Sequence, residues 1–332
     1  MAPEFRNNTG PFSLPNPRDE AAFPAVTNAF GNHIHGVDMD QFYAYYDYSI
    51  SLVLVVIDFC GSVGNGLVIW LLGFRMKRKP FSVYILNLAC ADFTFLLSSS
   101  VRFMLHLLDY MHETTKLVDA TILFSFLVSV SLLMVLSTER CVSVLCPIWY
   151  RCHRPAHLSS ILCALVWGLT LCVGLWRVLC DLFQNTSCRV VCNLVADGLS
   201  FITFLVLFVS GVTLLIRVQC GSRRRQTTRL YVTILLNVLA FLLLGLPYSV
   251  WEIMSIALIS SPHDHILQPT FYLLSVVSSV VNPIIYFFVG RHGQPRGWKP
   301  LRQVLQRALT DEEEGTEWSS RVTVFRQNQM SN

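Results

Sequence analysis

Long apolar segments alternate with short polar connections along most of this chain. A helix needs about 20 apolar residues to cross the hydrocarbon core of a bilayer, and seven segments reach that length. They are predicted at residues 47–74, 81–108, 117–143, 158–180, 194–219, 228–258 and 266–289. The pattern therefore predicts an all-α membrane protein built as a seven-transmembrane helix bundle.

The sequence outside the bundle predicts the remaining domain organisation. Residues 1–46 are polar and rich in Pro and Asn, which is typical of a largely disordered extracellular head around the membrane domain at 47–290. The segment 291–309 predicts an amphipathic cytoplasmic helix on the membrane surface. Residues 310–332 contain an acidic run and predict a disordered cytoplasmic tail. The apolar positions of the amphipathic segment are Trp298, Leu301, Val304, Leu305, Ala308 and Leu309.

Composition and charge place the protein in a membrane and orient it. Hydrophobic residues make up 53% of the chain and charged residues 14%, against about 25% charged in soluble domains. Lys and Arg concentrate in the connections after spans one, three and five and after span seven, whereas the opposite side offers Lys116 and Arg189. Because positive loops stay in the cytoplasm, we expect a multi-pass plasma-membrane protein with its N-terminus outside and its C-terminus inside. The lipid bilayer is the expected environment, and no nucleic-acid partner is expected.

Three of the eleven cysteines cluster at the outer ends of spans four and five. This environment is oxidising, and Cys180 with Cys188 is the preferred disulfide, with Cys180 to Cys192 as the alternative. No cysteine and histidine spacing of the metal-binding kind occurs in the sequence. Asn7 and Asn185 each begin a glycosylation sequon and are candidate glycosylation sites on the extracellular side.

Several polar residues lie inside the apolar segments, where each requires a physical reason. Asn65, Asp92 and Asn282 fall in spans one, two and seven, and Ser129 and Ser278 are placed to complete one polar cluster. Such groups commonly join helices through hydrogen bonds, which is the simplest role for Asn65. A lone buried carboxylate also attracts a cation or a proton, so Asp92 is predicted to hold sodium or water in a site that collapses on activation.

Spans three, six and seven carry features typical of a conformational switch. Glu139 and Arg140 stand at the inner end of span three, where the carboxylate is expected to hold the arginine until a partner protein binds. An ordinary interfacial ion pair is the simpler alternative. Pro247 and Pro283 kink spans six and seven, either as fixed bends or as hinges. Two kinks beside a polar cluster favour the switch.

These motifs together resemble a rhodopsin-type G-protein-coupled receptor. The matching residues are Gly64-Asn65, Asn87-Leu88-Ala89-Cys90-Ala91-Asp92, Glu139-Arg140-Cys141, Trp167, Pro247 and Asn282-Pro283-Ile284-Ile285-Tyr286. Within that class, residues 50–310 resemble the Mas-related receptors. The strings that carry this closer likeness include Trp70-Leu71-Leu72-Gly73-Phe74-Arg75-Met76, Pro147-Ile148-Trp149-Tyr150-Arg151-Cys152-His153-Arg154-Pro155 and Thr228-Arg229-Leu230-Tyr231-Val232.

The resemblance implies a receptor rather than an enzyme, with a rhodopsin-like fold and no cofactor apart from the possible sodium ion. A peptide or an irritant-like small molecule would bind outside, and a heterotrimeric G protein of the Gq or Gi class would bind inside when span six swings outward. Phosphorylation of the acidic tail would favour arrestin. The residues implied in coupling and switching are Glu139, Arg140, Gly245, Pro247, Asn282, Pro283 and Tyr286.

Departures from the common receptor pattern follow the Mas-related branch. Span three begins without the cysteine that usually bridges to the second outer loop, and in this branch a bridge between spans four and five replaces it. Gly245 stands where most receptors carry a tryptophan, which implies a shallow and open ligand site. Span six offers no acid to lock Arg140, leaving Glu139 alone. We therefore expect noticeable ligand-independent signalling.

The ligand site is less clearly marked. Several relatives that respond to basic peptides carry acids near the outer ends of spans four and five, whereas Trp176 with Arg177 occupies the span-four place here. A cationic ligand at that place is therefore in doubt, and the apolar stretch 122–126 in span three argues against biogenic amines. The candidate ligand-binding residues are Trp176, Asp181, Asp197, Trp251 and Glu252.

Other functions are weaker fits to the sequence. A transporter or channel would show inverted repeats with paired broken helices, and the two halves show no such repeat. An intramembrane enzyme would need a nucleophile with a base, or a set of metal ligands, and His106 and His112 are too isolated for that. A seven-helix scaffold that has lost its agonist remains an alternative.

Overall fold

The computed structural model describes residues 23–76, 80–108, 113–155, 157–220, 229–257, 264–292 and 300–309. All regular elements within these ranges are helices. They are α1 (Phe23–Trp70, followed by a π-helical turn, Leu71–Arg75), α2 (Pro80–Leu107), α3 (Glu113–Leu145), α4 (Pro147–His153), α5 (Leu158–Leu182), α6 (Thr186–Cys220), α7 (Arg229–Leu244), α8 (Leu246–Ala257), α9 (Asp264–Arg291) and α10 (Leu301–Ala308).

Seven stretches of these helices are long and apolar enough to cross a membrane, which confirms the predicted seven-helix bundle. They run over Tyr48–Arg75, Pro80–Leu107, Thr114–Leu145, Leu158–Leu182, Thr186–Arg217, Leu230–Trp251 and Ile266–Arg291. Spans one to five therefore correspond to α1, α2, α3, α5 and α6, span six to α7 with α8, and span seven to α9. Asn7, residues 1–22 of the expected head, and the tail 310–332 lie outside the described residues.

Span five begins earlier than its apolar pattern predicts, at Thr186 instead of residue 194. Asn185 stands directly before α6, and its side-chain oxygen accepts a hydrogen bond from the backbone N–H of Cys188 at 3.0 Å. A side chain in this position satisfies one of the free N–H groups at a helix start. The polar first turns are thus helical because they are capped, which a hydropathy profile does not detect.

Helix α3 lies at the centre of the bundle and α1 at its edge. In the most apolar window of each span, 67% of the residues are buried in α3 and 28% in α1. Large apolar side chains such as Phe59, Leu169 and Phe288 are exposed on the outside of the bundle. An apolar exterior of this kind is compatible with lipid tails, since the bilayer core is itself apolar.

Span six is divided at Gly245, between α7 and α8. A Cβ atom at this glycine would lie 3.0 Å from two ring atoms of Phe241, so the ring fills the space that a side chain would use. Pro247 follows in the first turn of α8, where its missing N–H interrupts the helical ladder. The break falls where the sequence predicts a kink. It separates two halves of the span, named inner and outer after the orientation predicted from the sequence.

Candidate functional site

The carboxylate of Glu139, at the inner end of α3, is held by groups from three other parts of the chain. It is 6% exposed and accepts hydrogen bonds from the Tyr84 hydroxyl of α2 at 2.5 Å and from the Tyr150 hydroxyl of α4. The Nε of Arg154 donates to it at 2.8 Å, forming an ion pair that is largely shielded from solvent. A charge-assisted bond in such surroundings is stronger than an exposed one.

Arg154 extends this network to α5. Its guanidinium also donates to the Tyr150 hydroxyl at 2.8 Å and to the Ser159 hydroxyl at 2.6 Å. Burial, with the neighbouring carboxylate of Glu139, raises the pKa of Tyr150, so this hydroxyl stays protonated and donates at neutral pH. Burial alone would lower the pKa of Arg154, but the bond to Glu139 and its negative charge raise it overall. Helices α2 and α4 therefore bond directly to the carboxylate on α3, and α5 is linked to it through Arg154.

Arg140 is buried beside this network, with 3% of its surface exposed. Its guanidinium carbon lies 3.2 Å from the centre of the Phe81 ring of α2 and 5.7 Å from that of Tyr231 of α7. Both are cation–π contacts. The sequence pattern favours a Glu139–Arg140 pair, and the structure adds Tyr84, Tyr150 and Arg154 as partners of Glu139. Arg140 thus lies between α2 and α7 at the inner end of the bundle.

Tyr286, near the inner end of α9, is bonded to span six. Its hydroxyl accepts a hydrogen bond from the side-chain amide of Asn237 in α7 at 3.2 Å, and both residues are buried. Sequence reasoning missed Asn237. Its signal is a polar amide within the apolar stretch of α7, since such a group needs a partner inside the bundle. This bond joins the inner halves of spans six and seven.

Helix α10 packs against the inner ends of α7 and α9. Leu305 and Ala308 are fully buried, and the Thr233 hydroxyl of α7 donates to the backbone oxygen of Ala308 at 3.5 Å. Gly290 of α9 makes this approach possible, because a Cβ atom there would collide with the backbone of Val304. The apolar face expected to rest on the membrane is therefore turned, at these positions, toward the bundle.

Asp92 lies in a polar core between α2, α3 and α9. It is 0% exposed; the Ser129 hydroxyl donates to one of its oxygens at 2.7 Å and the Asn282 amide to the other at 2.7 Å. Asn65 of α1 donates to the backbone oxygens of Gly61 at 3.0 Å and Ser279 at 3.3 Å.

Of the predicted core residues, Ser129 and Asn282 contact Asp92. Ser278 is buried on the same helix as Asn282, but its neighbour Ser279 is the serine of α9 that interacts with Asp92. The Asp92 carboxylate and the Ser129 hydroxyl offer oxygen atoms, which a hard monovalent cation prefers, whereas Asn282 presents its amide N–H. The side-chain oxygen of Asn65 is buried and has no hydrogen-bond partner in the part of the chain that is described.

The disulfide at the outer surface joins Cys180 of α5 to Cys188 of α6, with their Cα atoms 5.5 Å apart. This confirms the preferred pairing. Cys192, the alternative partner, is a free and buried cysteine whose sulfur lies 3.7 Å from the backbone oxygen of Val173. One turn of α6 separates the two candidates, and the sequence alone could not decide between them.

Replacing Cys188 by alanine is expected to lower the thermal unfolding temperature of the purified chain, whereas replacing Cys192 by alanine leaves the disulfide intact. Loss of a native disulfide costs about 2–5 kcal/mol in small domains, which corresponds to a fall of several degrees here. Thermal unfolding of both variants under non-reducing conditions measures the difference. An equal effect of the two substitutions would contradict the role of the bridge.

Basic groups surround the acid that lies nearest this disulfide. The Asp181 carboxylate lies 3.7 Å from Arg177 and 3.9 Å from Arg189. Arg177 also donates to the side-chain oxygen of Asn193 at 2.7 Å. Asp181, Arg189 and Lys116 line a small cavity of about 180 Å³. Asp181 is therefore already engaged with two cations, and this end of α5 and α6 carries more positive than negative charge.

The other ligand candidates are spread over three helices. Trp176 of α5, Asp197 of α6 and Trp251 of α8 are all half-buried. Glu252 is described only in its backbone, within α8. The structure thus places these residues on the outer halves of spans four, five and six without assigning them a shared contact.

Sequence reasoning missed an acid in the outer half of the bundle. Asp58 of α1 is 0% exposed, and it lies near the outer part of α2, where the Ser100 hydroxyl approaches it at 3.4 Å. A rule that examines every charge within a predicted span would have found it.

Comparisons with known proteins agree with this architecture. A family model described as the seven-transmembrane receptor (rhodopsin family) matches residues 64–286. The chain is 42% identical over 284 residues to Mas-related G-protein coupled receptor member X3 of Macaca mulatta, a match covering 82% of this chain and 87% of that protein. It is 42% identical over 276 residues to member X1 of Homo sapiens, covering 80% and 84%. Member B4 of Rattus norvegicus is 40% identical over 283 residues, covering 81% and 85%.

Proposed function

Because the chain belongs to the Mas-related receptors of the rhodopsin family, we propose that an extracellular ligand drives its coupling to Gq or Gi by moving span six outward. The family is one of multi-pass plasma-membrane receptors that signal through heterotrimeric G proteins. The ligand, the G-protein class and the activating motion are the proposed part, together with an extracellular N-terminus and a cytoplasmic C-terminus.

The burial of Arg140 is the observation that supports the proposed motion of span six. Its guanidinium is covered by Phe81 and faces Tyr231 of α7, so a G protein reaches it only after the inner half of span six has moved away. The bond from Asn237 to Tyr286 and the packing of α10 on α7 oppose the same displacement. A ligand that binds the open state more tightly would shift the population toward it. Gly245 and Pro247 supply the hinge.

Replacing Arg140 by alanine is expected to abolish coupling. We would measure guanine-nucleotide exchange on Gq and on Gi in cell membranes at matched surface expression, with and without candidate agonists. Arg75→Ala is the matched control, since Arg75 is an exposed arginine at the inner end of span one. Exchange that is present in the parent chain and persists in Arg140→Ala would contradict the proposal. The same assay tests the predicted ligand-independent signalling.

We infer that the ligand is a peptide or an irritant-like small molecule that enters from the outer ends of spans four to six. Trp176, Trp251, Asp197 and Glu252 remain candidates to contact it. Asp181 is the candidate that the geometry supports least, because Arg177 and Arg189 already compensate its charge. A cationic group binding at that acid would have to displace an arginine.

A sodium ion is proposed for the resting state at Asp92. The carboxylate of Asp92 and the hydroxyl of Ser129 would supply oxygen ligands, and Asn282 would anchor the same carboxylate to α9. When bound, the ion would neutralise a buried charge. The residues themselves hold α2, α3 and α9 together through Asp92.

Two modifications belong to the same proposal. Asn185 is exposed at the start of α6 on the proposed outer side, and its amide nitrogen is not used in the cap, so a glycan could be attached without removing it. Asn7 is the second proposed glycosylation site. Phosphorylation of the tail would add negative charge and favour arrestin.

A further inference from the structure

Asp58 is a buried carboxylate in the outer half of the bundle. It lies ten residues along α1 from Tyr48, where the first candidate span begins, which corresponds to a depth of about 15 Å at 1.5 Å per residue. Its side chain is 0% exposed. An ionisable group at this depth is costly and usually has a function or a specific partner.

The two fully buried aspartates, Asp58 and Asp92, differ in how they are satisfied. Both oxygens of Asp92 accept hydrogen bonds at 2.7 Å. Asp58 accepts a long bond, 3.4 Å from the Ser100 hydroxyl to its Oδ2, and has a looser contact with Ser99. Its Oδ1 has no hydrogen-bond partner among the described residues. A buried polar atom without a partner costs about 1–3 kcal/mol, and more when it is charged. Asp58 is therefore the less satisfied of the two.

Further oxygen donors lie beside Asp58. The Tyr272 hydroxyl of α9 is buried and has no hydrogen-bond partner in the described ranges, and Asp58 is near enough to interact with it electrostatically. Ser99 of α2 is 4% exposed and contacts both side chains. One carboxylate with neutral hydroxyls around it matches the ligands that a hard monovalent cation or a primary ammonium group prefers.

The charges of the surrounding residues also favour a bound cation. Arg102 of α2 lies 3.4 Å from Asp119 of α3, and its guanidinium carbon is 5.9 Å from the Tyr272 ring centre. One arginine and two acids, Asp58 and Asp119, thus lie near Tyr272. If all three are ionised, the group carries one negative charge in excess, which a single cation would neutralise.

An aromatic cluster adjoins these polar groups. Phe95, Phe126, Tyr248 and Tyr272 contact one another in a closed cycle, with ring centres 6.0 Å apart for Phe95–Phe126, 6.0 Å for Phe126–Tyr248, 5.6 Å for Tyr248–Tyr272 and 6.2 Å for Tyr272–Phe95. Such rings provide apolar and π faces for the body of an organic cation. The polar and aromatic parts share Tyr272.

We propose that Asp58 is the counter-ion of a monovalent-cation site formed by α1, α2 and α9 with the hydroxyl groups of Ser99, Ser100 and Tyr272. The occupant carries one positive charge, supplied either by the ammonium group of an aryl-alkyl amine or by sodium. This site is separate from the Asp92 core. Ser99 and Asp92 are seven residues apart along α2, which corresponds to about 10 Å. It does not depend on the coupling proposed above, because occupancy can be measured without a G protein.

Thermal unfolding of the purified full chain in lipid nanodiscs tests this site. At constant ionic strength, N-methylglucamine chloride would be replaced by sodium chloride in one arm and by phenethylammonium chloride in the other. A ligand at ten times its Kd is expected to raise the unfolding temperature by about 3 °C. The comparison is made in Asp92→Asn, which lacks the carboxylate of the sodium site proposed above. The rise is expected in this variant and is expected to disappear when Asp58→Asn is added to it.

The two arms distinguish the source of the charge. A saturable rise that requires Asp58 with sodium identifies an inorganic ion, and one with phenethylammonium identifies an organic amine. The absence of a rise in both arms, or a rise that survives Asp58→Asn in the Asp92→Asn background, would overturn the proposal. If Asp58→Asn does not fold, Tyr272→Phe removes only the hydroxyl and is expected to weaken the Asp58-dependent binding several-fold. Unchanged affinity in a folded Tyr272→Phe would then count against the site.

Discussion

Replacing Glu139 by alanine is expected to raise ligand-independent G-protein signalling about tenfold. The carboxylate accepts hydrogen bonds from Tyr84, Tyr150 and Arg154, so its removal takes away the bonds that join α2, α4 and the following connection to the inner end of α3. A hydrogen bond to a charged group contributes about 1.5–3 kcal/mol, and 1.4 kcal/mol changes an equilibrium tenfold. If one such bond forms only in the closed state, its loss is enough to produce the tenfold rise in signalling.

The measurement is nucleotide exchange in membranes at equal surface expression, without added ligand. The double substitution Glu139→Ala with Arg140→Ala is expected to return exchange to the level of untransfected cells, because the buried arginine is the proposed contact for the G protein. Glu139→Gln keeps an acceptor for the tyrosines and is expected to fall between the parent and Glu139→Ala. Unchanged exchange in a well-expressed Glu139→Ala variant would show that this network supports the fold without restraining the switch.

The bundle could be predicted from the sequence because its signal is repeated and local. Each span carries its own run of apolar residues, and a bilayer accepts few structures other than helices for such a run. The pairing of Asp92 with Ser129 and Asn282 was also predictable in outline, since an isolated polar group within a span must find partners inside the bundle. Both inferences rest on the cost of leaving a polar group in hydrocarbon.

The partners of Glu139 could not be predicted in the same way. Tyr150 and Arg154 belong to α4 and the connection to α5, where apolar periodicity gives no information about side-chain direction. The sequence favours Arg140 because it is adjacent, and adjacency gives no indication of partners from a distant connection. Contacts between a connecting segment and a span depend on the tertiary path of that segment.

Asp58 and α10 show two further limits. Asp58 lies in a span whose mean hydropathy remains high in spite of one charge, so a hydropathy profile identifies the span without indicating its acid. The amphipathic pattern of α10 indicates an apolar face but does not say whether lipid or protein covers it. In the structure, Leu305 and Ala308 are covered by α7 and α9. This packing depends on the close approach of α10 to Gly290.

Replacing Leu305 by glutamate is expected to raise ligand-independent signalling several-fold, since it would place a charge in the fully buried contact of α10 with α7 and α9. A buried unpaired charge costs several kcal/mol, which exceeds what one turn of apolar packing contributes. Helix α10 would leave the bundle, and the bond from Thr233 to the backbone of Ala308 would be lost. Span six would then have one restraint fewer.

Leu301→Glu is the matched control, because Leu301 lies on the same short helix and is 50% exposed. It adds the same charge to the same segment and is expected to leave signalling near the parent level. Nucleotide exchange at matched surface expression measures both variants. A loss of signalling in Leu305→Glu alone would mean that docked α10 supports the G-protein contact and does not restrain span six. Equal behaviour of the two variants would mean that the charge acts through the membrane surface, and the docking of α10 would then have no part in the switch.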